Sequence, residues 1–86
     1  MKTTEIIYKV VSSVNFKKNE PLAKREEILF DALVNAGISE DKIWCVGEKP
    51  STGRCLGLTF LKDRVRIGYR CGYGRYNYAP CIEVLL

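Results

Sequence analysis

Arg64, Arg66 and Arg70, followed by Tyr73, Arg75 and Tyr76, are the side chains of this sequence best suited to act at a surface. A guanidinium pairs with carboxylates or phosphates through a planar fork, and tyrosine rings stack on bases or fill protein pockets. Bond-breaking chemistry has few parts to draw on. The 86 residues contain no His, which removes the usual general base, the Ser-His and Cys-His nucleophile pairs and every zinc site that needs imidazole. Glu26 and Glu27 do not form a catalytic pair, because neighbours on a helix point apart, and they read as solvated surface. Gly68, Gly72 and Gly74 do not make G-x-G-x-x-G, and G-x-x-x-x-G-K-[ST] does not occur. The chain therefore reads as non-enzymatic, with no catalytic residue, cofactor or metal ion expected.

A hairpin positions the Arg row. If a turn centres on Lys62-Asp63, one face carries Leu56 with Tyr69, Leu58 with Ile67 and Phe60 with Val65, three apolar cross-strand pairs that a one-residue slip would destroy. The other face then carries Leu61 with Arg64, Thr59 with Arg66, Gly57 with Gly68 and Cys55 with Arg70. Two facing glycines leave bare backbone between Arg66 and Arg70, and glycine inside a strand often marks a close approach by something else. At about 3.4 Å per residue, Arg64 to Arg70 spans roughly 20 Å. The expected binding set is Arg64, Arg66, Arg70, Tyr73, Arg75, Tyr76, Thr59, Gly57 and Gly68.

Charge follows the same division. Fourteen Lys and Arg against ten Asp and Glu give a net +4. Residues 1–43 hold seven basic and seven acidic side chains, whereas residues 44–86 hold seven basic and three acidic, so the whole surplus lies in the C-terminal half.

The elements around the hairpin follow from pattern. Residues 3–14, rich in Ile, Val and Tyr, suggest a first strand covered on both sides. Asn19 is a fitting helix N-cap, with Glu20 and Pro21 in the first turn. Leu22, Leu29, Leu33 and Ala36 form an apolar stripe, Lys24, Arg25, Glu26, Glu27 and Asp31 take the other side, and Gly37 ends the helix. Strands are expected over residues 42–48, 54–62, 64–71 and 81–86, with a loop from Gly72 to Pro80. The expected fold is a single two-layer α+β domain over residues 1–86, one amphipathic helix on a mostly antiparallel sheet in the order β-α-β-β-β-β. Trp44, between Ile43 and Cys45, is expected in the core.

Cys45, Cys55, Cys71 and Cys81 make two Cys-x9-Cys pairs. The spacing is similar to that of the twin Cys-x9-Cys proteins of the mitochondrial intermembrane space, but Pro50, Gly53, Gly72, Gly74 and Pro80 do not fit the paired helices of that family. A second arrangement sets Trp44 against Leu56, which places Cys45 opposite Cys55, as a cross-strand disulfide requires, and beside Arg70, where a thiolate would be favoured. Pairing Cys71 with Cys81 would put Glu83 opposite Tyr69 on the core face unless a bulge near Gly72 to Gly74 resets the phase. The third is four reduced thiols packed as small apolar groups.

Glu5 and Lys9 interrupt any signal-peptide core, and no run approaches the roughly 18–20 apolar residues of a membrane span, so a cytoplasmic protein without membrane contact is expected. The preferred reading is a binding protein, inhibitor or adaptor, that occupies a surface of a larger protein partner through the Arg/Tyr/Gly face. Chains of this size and character are common among phage and mobile-element products directed at host nucleic-acid-handling machinery. The alternative is an RNA or single-stranded DNA binding module. A further reading is enzymatic: the cluster of Arg64, Arg66, Arg70, Tyr73, Arg75 and Tyr76 resembles, in composition, small basic α+β bacterial toxins that cut mRNA on the ribosome without His, although their second N-terminal helix is not expected here. Leu85, on the face opposite Ile82 and Val84, allows a monomer or a weak dimer through an edge or a face of the last strand.

Overall fold

The structure is a computed structural model that describes residues 2–16, 21–46, 56–70 and 78–86. Two helices precede a four-stranded antiparallel sheet: α1 (Thr3–Ser13), α2 (Leu22–Asn35), a short 3-10 helix (Glu40–Lys42), β1 (Ile43–Cys45), β2 (Leu56–Phe60), β3 (Arg64–Arg70) and β4 (Tyr78–Leu85). The sheet order is β1-β4-β3-β2. The fold is α+β, as composition and pattern led one to expect.

The first element corrects that expectation, because residues 3–13 are a helix rather than a strand. Their β-branched composition favours a strand, but the apolar positions Ile7, Val10, Val11 and Val14 recur at helical spacing and decide the outcome. Ile7 and Val10 are buried while Tyr8 and Lys9 between them are exposed, a pattern of period 3.6 that no strand produces. Ser12 Oγ donates to the Tyr8 carbonyl at 2.8 Å and Ser13 Oγ to the Val10 carbonyl at 3.0 Å, closing the last turn. The second N-terminal helix whose expected absence distinguished the chain from the toxin-like ribonucleases is therefore present.

Helix α2 lies close to its expected place. Its N-cap is Pro21, with no side-chain cap hydrogen bond, rather than Asn19, which lies outside the described residues together with Glu20. Arg25 belongs to the buried face: it is buried and its guanidinium carbon lies 5.6 Å from the centroid of the Phe16 ring. Arg25, Leu29 and Leu33 repeat every four residues on the side turned to the core, and Ala36 is exposed. The C-terminus is a Schellman motif. Gly37 adopts φ +110°, the Gly37 N–H reaches the Val34 carbonyl at 3.0 Å, and the Ile38 N–H reaches the Leu33 carbonyl at 3.1 Å. Ile38 and Leu33, the two residues that bond joins, are both buried.

The β2–β3 register agrees with the expected one at every described pair: Leu56↔Tyr69, Gly57↔Gly68, Leu58↔Ile67, Thr59↔Arg66 and Phe60↔Val65. Leu61 N–H closes the turn on the Arg64 carbonyl at 2.8 Å. Strand β4 is longer than expected, taking in Tyr78–Pro80, which sequence pattern places in a loop. It pairs with β3 through Val65↔Val84 and Ile67↔Ile82, then shifts register so that Gly68 faces Pro80. The shift leaves Cys81 as the extra residue of a bulge, next to a proline that has no N–H for the ladder. Strand β4 is an inner strand between β1 and β3, so it offers no free edge, and among the described residues the free edge on the hairpin side belongs to β2.

One hydrophobic cluster joins Ile7, Val10 and Phe16 to Leu29 and Leu33 of α2, Ile38 and Ile43, and Val65, Ile67, Ile82 and Val84 of the sheet. Strand alternation then sends Arg64, Arg66 and Glu83 to the opposite face of the sheet.

Candidate functional site

The outward face is built by three strands meeting at Glu83. Strand β4 places Glu83 between Arg66 of β3 and Trp44 of β1, its partners in the two flanking ladders. Its carboxylate is buried, and a buried carboxylate is stable only when paired. Arg64 Nη1 donates to Glu83 Oε2 at 3.3 Å, and Arg66 Nε lies 3.6 Å from the same oxygen, an ion pair without a close hydrogen bond. One carboxylate oxygen thus serves two guanidinium groups.

Arg64 is held from further sides. Its Nε and Nη2 each reach an oxygen of Asp63 at 3.1 Å, a bidentate fork. Its guanidinium carbon stands 5.3 Å from the centroid of the Trp44 ring, within cation–π range. The Asp63 hydrogen bonds, followed by the one to Glu83, hold the Arg64 guanidinium more firmly protonated than usual. Reciprocally, the hydrogen bond from Arg64 holds the Asp63 carboxyl below the usual aspartate range. Arg66 keeps more of its surface free, its side chain being 46% exposed. Thr59, opposite Arg66, is exposed, and Leu85, opposite Arg64, adds an exposed apolar edge.

Of the expected binding residues, Arg64, Arg66 and Thr59 lie together on this face, and Gly57 and Gly68 face one another in the ladder. Arg70 lies in β3, paired through its backbone with Tyr78. Tyr73, Arg75 and Tyr76 lie outside the described residues. Trp44 corrects its assignment to the core: it is only half-buried, with Arg64 over its ring. Glu83 and Trp44 are the site residues that sequence pattern missed. Both depend on β1 pairing with β4 at the edge opposite the hairpin, and Glu83 also depends on the bulge at Cys81, which sets it opposite Arg66 instead of Val65, where the Gly68↔Pro80 register would otherwise carry it.

No protein-family model, curated protein or solved structure matches the chain. Its function is therefore argued from its own residues.

Trp44 pairs with Glu83 and Leu56 with Tyr69, so the Trp44–Leu56 pairing that would set Cys45 opposite Cys55 does not form. Cys45 pairs with Ile82 of β4 and is a free thiol, while β1 and β2 occupy opposite edges of the sheet. Glu26 of α2 is its charged neighbour. Packing around the Cys45 sulfur, then the charge and hydrogen bond of Glu26, push the thiol pKa up, opposite to the activation an Arg neighbour would give. Glu26 Oε1 is itself buried without a hydrogen-bond partner, so Glu26 is not the solvated residue that its helix position suggested. Cys55 and Cys71 lie outside the described residues. Among the described residues, no cluster of three His, Cys, Asp or Glu could hold a metal ion, and no helix is long and apolar enough to cross a membrane.

Proposed function

We propose that the protein is a non-enzymatic binding protein that occupies a surface of a larger protein partner through the sheet face around Trp44, Arg64 and Arg66. The observation that carries this reading is the sharing of Glu83 Oε2 by Arg64 and Arg66, with Arg64 stacked on Trp44. Trp and Arg are the residue types that dominate protein interface hot spots. An Arg already fixed by two carboxylates and an indole loses little further freedom when a partner docks, which lowers the cost of association.

The same arrangement weighs against a phosphate backbone as the main ligand. Lys62, Arg64 and Arg66 are set against Asp63 and Glu83 in the described part of the face, and the affinity of nucleic-acid binders comes chiefly from cations free to displace counterions. RNA cleavage is weighed against on similar grounds: Arg64 and Arg66, on which a His-free cleavage site would draw, are paired with Asp63 and Glu83. The protein acts, in this reading, as an inhibitor or adaptor in the cytoplasm, directed at host nucleic-acid-handling machinery.

Salt separates the two binding readings. The immobilised protein should retain its protein partner from host lysate as salt is raised from low to physiological strength, while binding a random single-stranded oligonucleotide weakly at low salt. Oligonucleotide binding that is tight at low salt and collapses steeply as salt rises would overturn the protein-partner reading in favour of nucleic acid. Messenger RNA should stay intact when the protein is induced; rapid cleavage would make it an enzyme.

A further inference from the structure

Among the described residues, strand β2 is the free edge of the sheet on the hairpin side. The bond from Leu61 N–H to the Arg64 carbonyl sets the phase of its ladder. Hydrogen-bonded and non-hydrogen-bonded pairs alternate in an antiparallel ladder, so Gly57 and Thr59 bond inward to Gly68 and Arg66. The backbone groups of Leu56, Leu58 and Phe60 then point outward. The same three residues line, with Tyr8, Val11 and Ser12 of α1, a groove of about 450 Å³ on the helix side of the sheet. Tyr8 is 66% exposed and Phe60 60% exposed, the two most exposed large apolar residues described. Edge strands are ordinarily protected by Lys, Pro, a bulge or a covering element. Leu56-Gly57-Leu58-Thr59-Phe60 contains no charge and no proline, and its pairing with β3 is regular throughout.

We propose that this edge pairs with β2 of a second copy of the chain, antiparallel about a two-fold axis at Leu58. In that register Leu58 faces Leu58 of the second copy, and Leu56 and Phe60 each face the other's counterpart. Every one of these residues has outward backbone groups, so each pair exchanges two hydrogen bonds; a slip by one residue would match outward groups with inward ones and forfeit them. The side chains agree with the backbone: Phe60 of each copy lies over Leu56 of the other, and the two grooves merge beneath the joined strands with Tyr8 at their rim. No charged side chain enters the five-residue overlap, so the contact desolvates no ion. A two-fold contact of this kind closes on itself. It joins two four-stranded sheets into one and sets both copies of Arg64 and Arg66 on the same side, although the pairing does not rest on what that face binds.

Light scattering across about micromolar to about millimolar concentration tests the proposal. The mass should rise from 9.8 kDa to twice that value. Amide exchange on the unmodified chain should give Leu58 and Phe60 protection that grows with concentration, with Gly57 and Thr59 protected throughout by β3. Phe60→Lys should raise the dimer dissociation constant at least about tenfold with an unchanged circular dichroism spectrum. A monomer at every concentration would overturn the proposal and leave the edge to a strand of another protein. A dimer without new protection at Leu58 and Phe60 would also overturn it, and this readout stands even if the variant misfolds.

Discussion

Arg64 Nη1 donates to Oε2 of the buried Glu83 at 3.3 Å, a bond that ties the start of β3 to the end of β4 on the face turned away from the helices. It fixes both ends of a short ion-pair chain, since Asp63 holds the other side of Arg64 and Arg66 leans on the same Glu83 oxygen. The face is an anchored Arg-Trp arrangement rather than a row of free cations.

Removing the shared carboxylate should therefore cost more than an exposed ion pair does. Glu83→Ala leaves two guanidinium groups without their common partner and is expected to destabilise the fold by about 1–3 kcal/mol, whereas exposed pairs such as Lys24–Glu27 contribute about 0–1. Urea unfolding measures it, and a double-mutant cycle with Arg64→Ala isolates the pair. A loss indistinguishable from that of Glu27→Ala would show that the Glu83 bridge holds nothing.

The helical state of residues 3–13 predicts opposite outcomes at neighbouring positions. Ile7 is fully buried, so Ile7→Ala should cost about 2–5 kcal/mol. Tyr8→Ala, at an exposed position, should change monomer stability by less than about 0.5 kcal/mol. Comparable losses at both would fit the strand covered on two sides, not the helix.

Gly37 occupies a backbone conformation that favours glycine, at φ +110° with nothing within 4 Å of the position a Cβ would take. Gly37→Ala should then cost about 1–2 kcal/mol through backbone strain alone, and Gly37→Asn less, because Asn tolerates positive φ better. Thermal unfolding of the two variants checks the order. Equal stability of Gly37→Ala and the parent would contradict the Schellman cap.

The raised pKa of Cys45 makes its thiol a slow nucleophile near neutrality. Alkylation followed by mass spectrometry should find Cys45 reacting more slowly than a free cysteine at pH 8, and faster in Glu26→Gln, where the carboxylate charge is gone. Because the folded-state pKa lies above the unfolded one, the associated stabilisation is present below pH 9 and fades as pH rises through the folded value. Asp63 behaves in the opposite sense, its pKa being lowered, so its contribution is present at neutral pH and lost in acid below the ordinary value of 3.8.

The hairpin was legible because three apolar pairs had to satisfy one register, and Gly37 because its place after an apolar stripe admits few other residues. Residues 3–13 resemble a strand in composition because their β-branched side chains mask the helical recurrence of Ile7, Val10, Val11 and Val14. Arg25 looked solvated because charge is a poor guide where an aliphatic stem and a ring, here Phe16, can carry a guanidinium inward. Trp44 and Glu83 needed the non-local pairing of β1 with β4 and a bulge at Cys81, neither of which has a local signal. Half of the face was therefore visible in sequence, the half that lies on a single hairpin.

The central claim is that this face is where a protein partner docks, and the most direct measurement is retention of that partner by Arg66→Ala compared with the parent. Arg66 is the exposed member of the pair, so its removal should leave the melting temperature nearly unchanged while lowering recovery of the partner from lysate at least about tenfold, the scale of a hot-spot residue. Undiminished recovery by a folded Arg66→Ala, Trp44→Ala double variant would contradict the account and place the binding surface elsewhere on the molecule.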